Sequence, residues 1–293
     1  MIRLAIRVRR ADAEIVLAQL LDLAPGGIEE RDLPEELVEL AVYGAPGELP
    51  ELPDLHAAAG DALVEVSSET IDGDWEERWK SFHEPVLLAT PAPGRVPSLF
   101  VRAPWEPGRG EKDEIELEIE PGRAFGTGSH ATTRLCLELL LALSAELPVN
   151  ARAHTPLWDL GTGSGVLAIA AAKLGYRPVW ALDNDPLSVA AAGENADVND
   201  VSVNVVPFDL RRDRALPWDG TEAGGVLLAN LLRPLLLELA GLLERPPAHL
   251  VASGLLREEA EEVARAFATR TSLRERARRE RGEWAALWLA REP

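Results

Sequence analysis

The sequence predicts an α/β protein, with a small α+β module in front and a larger domain built on a mostly parallel sheet behind. Three observations predict it. From about residue 115 onward, strand-like apolar runs alternate with stretches of helical periodicity. Within that part, Leu157-Trp158-Asp159-Leu160 is followed by three alternate glycines, Gly161, Gly163 and Gly165, and then by a periodic apolar segment from Val166, which reads as strand, tight turn, helix. The first 68 residues show a shorter strand and helix pattern of their own.

In chain order, residues 4–8 alternate like a strand, residues 11–23 have helical spacing, and residues 37–43 are again strand-like. A helix near 55–63 and a strand at 63–66 complete a ferredoxin-like pattern. This module, residues 1–68, carries no catalytic cluster, so recognition or support is its expected role. Residues 69–84 read as a linker helix in which Trp75, Trp79 and Phe82 share a face. Such a stripe more commonly packs a helix than cradles a cation, and His83 beside it reads as structural.

The third segment, residues 85–293, opens with a proline-rich stretch from Pro91 to Pro107 that favours extended chain over helix. Residues 115–120 alternate as a strand, and 121–133 form a loop of glycines and hydroxyls that ends in the caps of an apolar helix over 134–147. Cys136 lies in that helix and reads as a buried small residue. After the glycine turn, residues 178–183 form a second strand ending in Asp183, then a helix over 188–199 and a strand over 201–206. Residues 226–230 form a fourth strand ending in Asn230, residues 249–255 a fifth, and 258–269 a helix. The last two runs, around Arg281-Gly282, pair as a hairpin. Arginine and glutamate alternate over 274–281, which suits an exposed edge strand kept soluble by charge better than a nucleic-acid surface.

The glycine turn points to a nucleotide-type ligand. Glycine accepts positive φ and lets a ligand approach the backbone, and the helix start behind it offers unpaired N–H groups. A dinucleotide fingerprint requires its third glycine where Val166 stands, whereas this turn closes at Gly165. No Gly-Lys-Ser/Thr follows, which excludes a P-loop. Asp183, about 20 residues on, suits a ribose diol, so an adenosine-type cofactor is expected, with adenosylmethionine ahead of NAD. Asn230 ends a strand at the carboxyl edge, where open α/β sheets bind ligands; a helix cap is the other reading of that position.

Composition sets the outer limits. The chain has 293 residues, 46% hydrophobic and 27% charged, enough apolar material for a large core and too much for disorder. No window approaches the length of a membrane span and no signal-peptide run is evident, so a cytoplasmic location is expected. A single cysteine excludes an intrachain disulfide and a cysteine metal cluster. The net charge is −19, and residues 1–80 hold seven lysines and arginines against nineteen aspartates and glutamates. Such a stretch repels a phosphate backbone and suits either a basic partner or mere solvation.

Five segments together carry a family resemblance: Asp74-Trp-Glu-Glu-Arg-Trp79, Pro121-Gly-Arg-Ala-Phe-Gly-Thr-Gly-Ser-His-Ala-Thr-Thr133, Asp159-Leu-Gly-Thr-Gly-Ser-Gly165, Leu182-Asp-Asn-Asp-Pro186 and Leu228-Ala-Asn-Leu-Leu232. In this order they resemble the bacterial methyltransferases that trimethylate the eleventh protein of the large ribosomal subunit. The glycine turn is common to class I methyltransferases, whereas the Phe-Gly-Thr-Gly segment with its His-x-Thr-Thr tail is more particular. The resemblance covers the chain from Asp74 onward; the first 70 residues match in size and pattern only.

The resemblance implies a class I methyltransferase domain with a Rossmann-like, seven-stranded, mostly parallel sheet. It implies S-adenosyl-L-methionine as donor, no metal, and contacts from Thr133, Gly161, Gly163, Asp183 and Asn230. Asp183 would take the ribose, with Gly161 and Gly163 letting the backbone approach the methionine part. The acceptor implied is the eleventh large-subunit ribosomal protein, a basic protein, held by the N-terminal module of a monomeric enzyme with no membrane or direct nucleic-acid contact. Asn230 opens Asn-Leu-Leu-Arg rather than the Asn-Pro-Pro-Tyr of amide and nucleobase methyltransferases, which argues against those acceptors. No general base is expected, so no catalytic side chain is assigned. A methyltransferase with a small-molecule acceptor is the alternative, and a non-enzymatic or dinucleotide-dependent protein the weaker one.

Overall fold

The structure, a computed structural model, describes residues 2–13, 16, 17, 20, 28–34, 36–44, 55, 59–70, 84–121, 128–213 and 224–291. The expected linker helix with Trp75, Trp79, Phe82 and His83, and residues 122–127 of the glycine-rich loop, lie outside the described residues. The chain divides into two compact units, Met1–Phe82 and His83–Pro293.

In the first unit four strands, β1 (Ile2–Arg9), β2 (Glu29–Leu33), β3 (Leu37–Gly44) and β4 (Leu63–Thr70), form one sheet in the order β2-β3-β1-β4. Every pairing is antiparallel, which is the ferredoxin-like arrangement. Period-2 alternation sends Leu4, Ile6 and Val8 to one face, where they pack with Val38, Leu40, Val16, Leu20 and Leu55. On the opposite face, Arg3 and Arg7 donate to Glu39 at 2.6 and 3.0 Å, and Arg7 also pairs with Glu65. Opposite charges on adjacent strands thus hold the face that the core does not. β2 was absent from the sequence expectation because Glu-Glu-Arg-Asp-Leu shows no apolar alternation; its pairing with β3 makes it a strand.

The second unit begins with a three-stranded sheet, β5 (Val86–Leu88), β6 (Ser98–Arg102) and β7 (Glu114–Glu118), in that order. The helix α1 (Ala131–Glu146) and a short α2 (Val149–Arg152) follow. Then come β8 (Leu157–Leu160), α3 (Val166–Lys173), β9 (Val179–Asp183), α4 (Pro186–Val198), β10 (Asn204–Pro207), α5 (Leu210–Asp213), β11 (Val226–Asn230), α6 (Arg233–Leu242), β12 (His249–Leu256), α7 (Arg257–Arg270), β13 (Leu273–Arg281) and β14 (Trp284–Arg291). The seven strands β8–β14 form one sheet in the order β10-β9-β8-β11-β12-β14-β13. Pairings from β10 to β12 are parallel, and β14 runs antiparallel to both its neighbours.

Both faces of this sheet are covered, so its central strands are apolar at consecutive positions rather than alternate ones. Val226 and Leu228 of β11 face a core with α1 and α3, in which Leu137, Leu141, Ile169 and Ala170 are buried. Leu227 and Ala229 face the other core, with Leu236, Leu239, Val263 and Phe267 of α6 and α7. Burial of a side chain such as Phe267 contributes about 1.5–3 kcal/mol. Cys136 is fully buried and its thiol pKa is pushed far up by desolvation, as expected of a packing residue. The edge strand β13 carries its charge in pairs: Arg276 with Glu146, Arg281 with Glu138, and Arg278 with Glu275 and Glu261. Among the described residues, no helix is long and apolar enough to cross a membrane.

Two asparagines tie this domain's layers together. Asn195 of α4 accepts from Glu120 N at 3.0 Å and donates to Ser164 O at 2.9 Å, while Asn199 accepts from Glu118 N and donates to Glu118 O. Both are nearly buried, so these bonds also satisfy what would otherwise be costly polar groups.

Candidate active site

The site is built where β8, β9 and β11 end. β8 is buried along its whole length, and its apolar Leu157, Trp158 and Leu160 leave Asp159 as the polar residue inside. Asp159 Oδ2 accepts from Thr162 Oγ1 at 2.6 Å and from Ala168 N at 3.2 Å, bracing the turn from beneath. Its Oδ1 has no hydrogen-bond partner among the described residues, and complete burial pushes the carboxyl pKa up to about 7, with the Asp183 charge adding to the rise.

Gly161, Gly163 and Gly165 all adopt positive φ, at 72°, 54° and 83°, so the spacing read from sequence reflects backbone conformation. A Cβ on Gly161 would sit 2.5 Å from Leu231 Cδ2, and one on Gly165 would sit 3.1 Å from Ala192 Cα. The amides of the turn are used internally: Gly161 N and Thr162 N donate to Leu182 O, Gly163 N to Asp183 Oδ2 at 2.9 Å, and Gly165 N to Thr162 O. The glycine N–H groups therefore fold the turn, and what it offers a ligand is a surface without side chains.

Asp183 ends β9 and is 9% exposed. Its Oδ2 takes the Gly163 amide and its Oδ1 takes Asp185 N at 3.0 Å, which leaves each oxygen one lone pair. Asp185 caps α4 by accepting from Leu187 N at 3.0 Å, with Pro186 preset for the first helical turn. Across the turn, Asn230 ends β11, and its Nδ2 donates to Thr133 Oγ1 at 3.4 Å. Asn230 is not a helix cap; Leu232 occupies the N-cap of α6, 66% exposed, which removes that reading.

Thr133 is brought to Asn230 by the start of α1. The expected hydroxyl cap of that helix is corrected: α1 starts at Ala131, and His130 caps it by accepting from Thr132 N. The His130 ring also lies edge-on to Trp284, and burial lowers its pKa. Ser253 of β12 donates to Thr132 O at 3.1 Å and, through its own carbonyl, accepts from Leu231 N at 3.0 Å. Ser253 and Gly254 thus join the α1 start to the Asn230 strand end, and sequence reading missed both because neither sits in a local motif. The result is one row at the carboxyl edge: Asp183, Gly163, Gly161, Leu231, Asn230, Thr133. Among the described residues, no three His, Cys, Asp or Glu side chains converge as a metal would need.

Comparison with known proteins extends this reading. Residues 50–292 match the family model described as ribosomal protein L11 methyltransferase (PrmA). A ribosomal protein L11 methyltransferase of Trichlorobacter lovleyi is 33% identical over 311 residues, covering 96% of this chain and 95% of the relative. One from Heliobacterium modesticaldum is 37% identical over 220 residues, 74% of this chain and 63% of the relative's length. The crystal structure of a ribosomal protein L11 methylase from Lactobacillus delbrueckii subsp. bulgaricus superposes with a TM-score of 0.53 at 28% identity, over 67% of this chain and 95% of that one. With its class I methyltransferase sheet and glycine turn, the chain belongs to the ribosomal protein L11 methyltransferase family.

Proposed function

We propose that this protein transfers methyl groups from S-adenosyl-L-methionine to lysine side-chain amines, and to the N-terminal amine, of ribosomal protein L11, trimethylating them. The observation that carries the reading is the row at the carboxyl edge. Asp183 on one side and Asn230 on the other flank a turn whose glycines all have positive φ. The donor fits these groups. Asp183 keeps one lone pair per oxygen for a ribose diol, and Gly161 and Gly163 present no side chain to the methionine part. Thr133 Oγ1 accepts from the Asn230 amide at 3.4 Å, which supports a fixed orientation of that amide beside the donor.

Bound in this row, the donor supplies a methyl group already activated by its sulfonium. The residues then have little chemistry left to perform: they hold an amine in line with that methyl, about 3 Å away, and keep water out. A lysine ammonium, with an ordinary pKa of about 10.4, must first lose its proton, and desolvation beside a cationic donor favours that loss. We assign no general base; His130 is engaged in capping α1.

Residues 1–68 serve as the recognition domain, 69–84 as the linker and 85–293 as the catalytic domain of a cytoplasmic monomer without membrane or nucleic-acid partners. The acidic surplus of residues 1–80 matches a basic ribosomal protein. Methylation of several amines requires the recognition domain to present the substrate in more than one orientation.

The test is transfer of label from methyl-labelled donor to ribosomal proteins from a strain lacking this gene, read by intact-mass spectrometry. L11 gaining mass in steps of three methyls is the expected result. Donor binding without labelling of any protein would discard the acceptor and put a small-molecule substrate in its place.

A further inference from the structure

Ser253 is a fully buried hydroxyl in the otherwise apolar run of β12. Alternation along the strand sends Val251 to the core shared with α1 and α3 and Ala252 to the core of α6 and α7, so Ser253 faces α1. There its Oγ lies 3.1 Å from Thr132 O and 3.5 Å from Ala285 O. A hydroxyl has one proton, and the shorter contact takes it. Thr132 sits in the first turn of α1, where the helix already supplies its carbonyl with the amide of Cys136, four residues on. The carbonyl therefore does not need Ser253 for satisfaction; what the contact adds is a fixed place for the start of α1.

Ser253 is also where β12 changes phase. Its pairing with β14 runs from His249 to Ala252 and resumes at Leu255, with Ala252 opposite Leu287 and Leu255 opposite Ala285, so β12 carries an extra residue in a β-bulge at Ser253 and Gly254. Gly254 takes φ +83° within it. Beyond the bulge Leu255 lies in the α6 and α7 core, where strict alternation from Ala252 would not put it. On the other side of β12 the parallel pairing with β11 is unbroken: it sets Ser253 beside Asn230, and Ser253 O accepts from Leu231 N at 3.0 Å.

We propose that Ser253 is a positioning residue for methyl transfer, holding Thr133 and Asn230 in register from the bulge of β12. Its backbone fixes the end of β11 and its hydroxyl fixes the start of α1, and the two meet where Asn230 Nδ2 donates to Thr133 Oγ1. That bond is 3.4 Å long, against about 2.9–3.0 Å for an ordinary one, so a small shift of α1 relative to β11 breaks it. Fully buried, Ser253 is out of reach of any ligand and acts through Asn230 alone. The role rests on the methyl-transfer reading of the row.

The test uses the full chain carrying Ser253→Ala, alone and beside Asn230→Ala. Because a single neutral hydrogen bond is lost and Thr132 O stays satisfied within the helix, the unfolding midpoint is expected to fall by no more than about 4 °C. Donor Kd is expected to hold within about twofold, while kcat for L11 falls about three- to tenfold and no further than in Asn230→Ala. In the double variant Ser253→Ala adds nothing to the loss, the signature of a residue acting through Asn230. In isotope-labelled protein the side-chain amide resonances of Asn230, identified by their disappearance in Asn230→Ala, shift in Ser253→Ala. Ser253→Cys keeps a weaker donor, falls between the two in kcat, and carries the same comparison if the alanine variant does not fold. Unchanged kcat, a loss that multiplies with that of Asn230→Ala, or unmoved Asn230 resonances would each overturn the proposal. Wild type that labels no L11 is a failure of the acceptor reading instead, and the resonances then decide by themselves whether Ser253 holds Asn230.

Discussion

Replacing Asp159 by Asn should change how the stability of this protein responds to pH, in a direction opposite to that of most carboxylates. Asp159 is fully buried beneath the glycine turn, and its pKa is raised from 3.8 to about 7. The native state therefore holds the proton more tightly than the unfolded chain. Stability from this group is fully present below pH 3.8 and is lost as the pH rises through 7. Each pH unit in that window costs about 1.4 kcal/mol, so from pH 5 to pH 8 the wild type loses about 3 kcal/mol through this group alone. Asn in its place can still accept from Thr162 and Ala168 while its amide nitrogen takes the unpartnered Oδ1 position, and nothing there titrates. The assay is urea unfolding of both proteins at several pH values, taking the difference in unfolding free energy so that all other carboxylates cancel. The difference should grow in favour of Asp159→Asn by about 3 kcal/mol between pH 5 and pH 8. A difference that stays flat, or that grows toward acid, would refute the assignment of Asp159 as a buried group with a raised pKa.

Other perturbations separate the parts of the site. Gly254 has φ +83°, and a Cβ there would lie 2.5 Å from Leu231 O and 2.9 Å from Leu231 C, so Gly254→Ala should destabilise by about 2–5 kcal/mol and displace Asn230. Unchanged denaturant midpoint and unchanged turnover in that variant would count against the close approach. Asp183→Ala leaves two backbone amides unpaired and should raise the donor Kd by about 10–100-fold, measured by calorimetry, since a charged hydrogen bond contributes about 1.5–3 kcal/mol. Asn230→Ala should lower kcat by about tenfold while donor affinity changes less; equal losses in both would place Asn230 on the donor alone. Raising salt from about 0.05 to about 0.5 M should weaken kcat/KM for L11 severalfold while donor Kd holds, as the acidic recognition domain is screened; a salt-independent KM would remove charge from the recognition argument.

Much of the fold was legible because it is written locally. The alternation of β1 and β3, the apolar run of β11 and the helical periods of α1 and α7 each report which faces are buried, and each lies within a residue or a few of its expected bounds. β2 was not legible: Glu29 to Leu33 is a strand only because β3 supplies hydrogen-bond partners, a contact that short-range pattern does not encode. The same division holds for the site. Asp183 and Gly163 are 20 residues apart and their spacing already suggested a shared ligand, whereas Asn230 and Thr133 are 97 apart.

By itself, the sequence determined the backbone of the glycine turn, because positive φ at Gly161, Gly163 and Gly165 is a property of residues without Cβ. It also determined the acidic first module and the two-sided burial of the central strands, since charge and hydropathy are additive over residues. Only the tertiary structure decided what those groups meet. It turned the glycine amides inward to Leu182 and Asp183, buried Asp159 with one oxygen unpaired, and packed the Leu231 backbone against Gly254. It also buried Nε and Nη1 of Arg152 at the opposite edge without a hydrogen-bond partner among the described residues. These are consequences of strand order and layer packing, which depend on contacts between segments distant in the chain, and desolvation and hydrogen-bond partnership follow from those contacts alone.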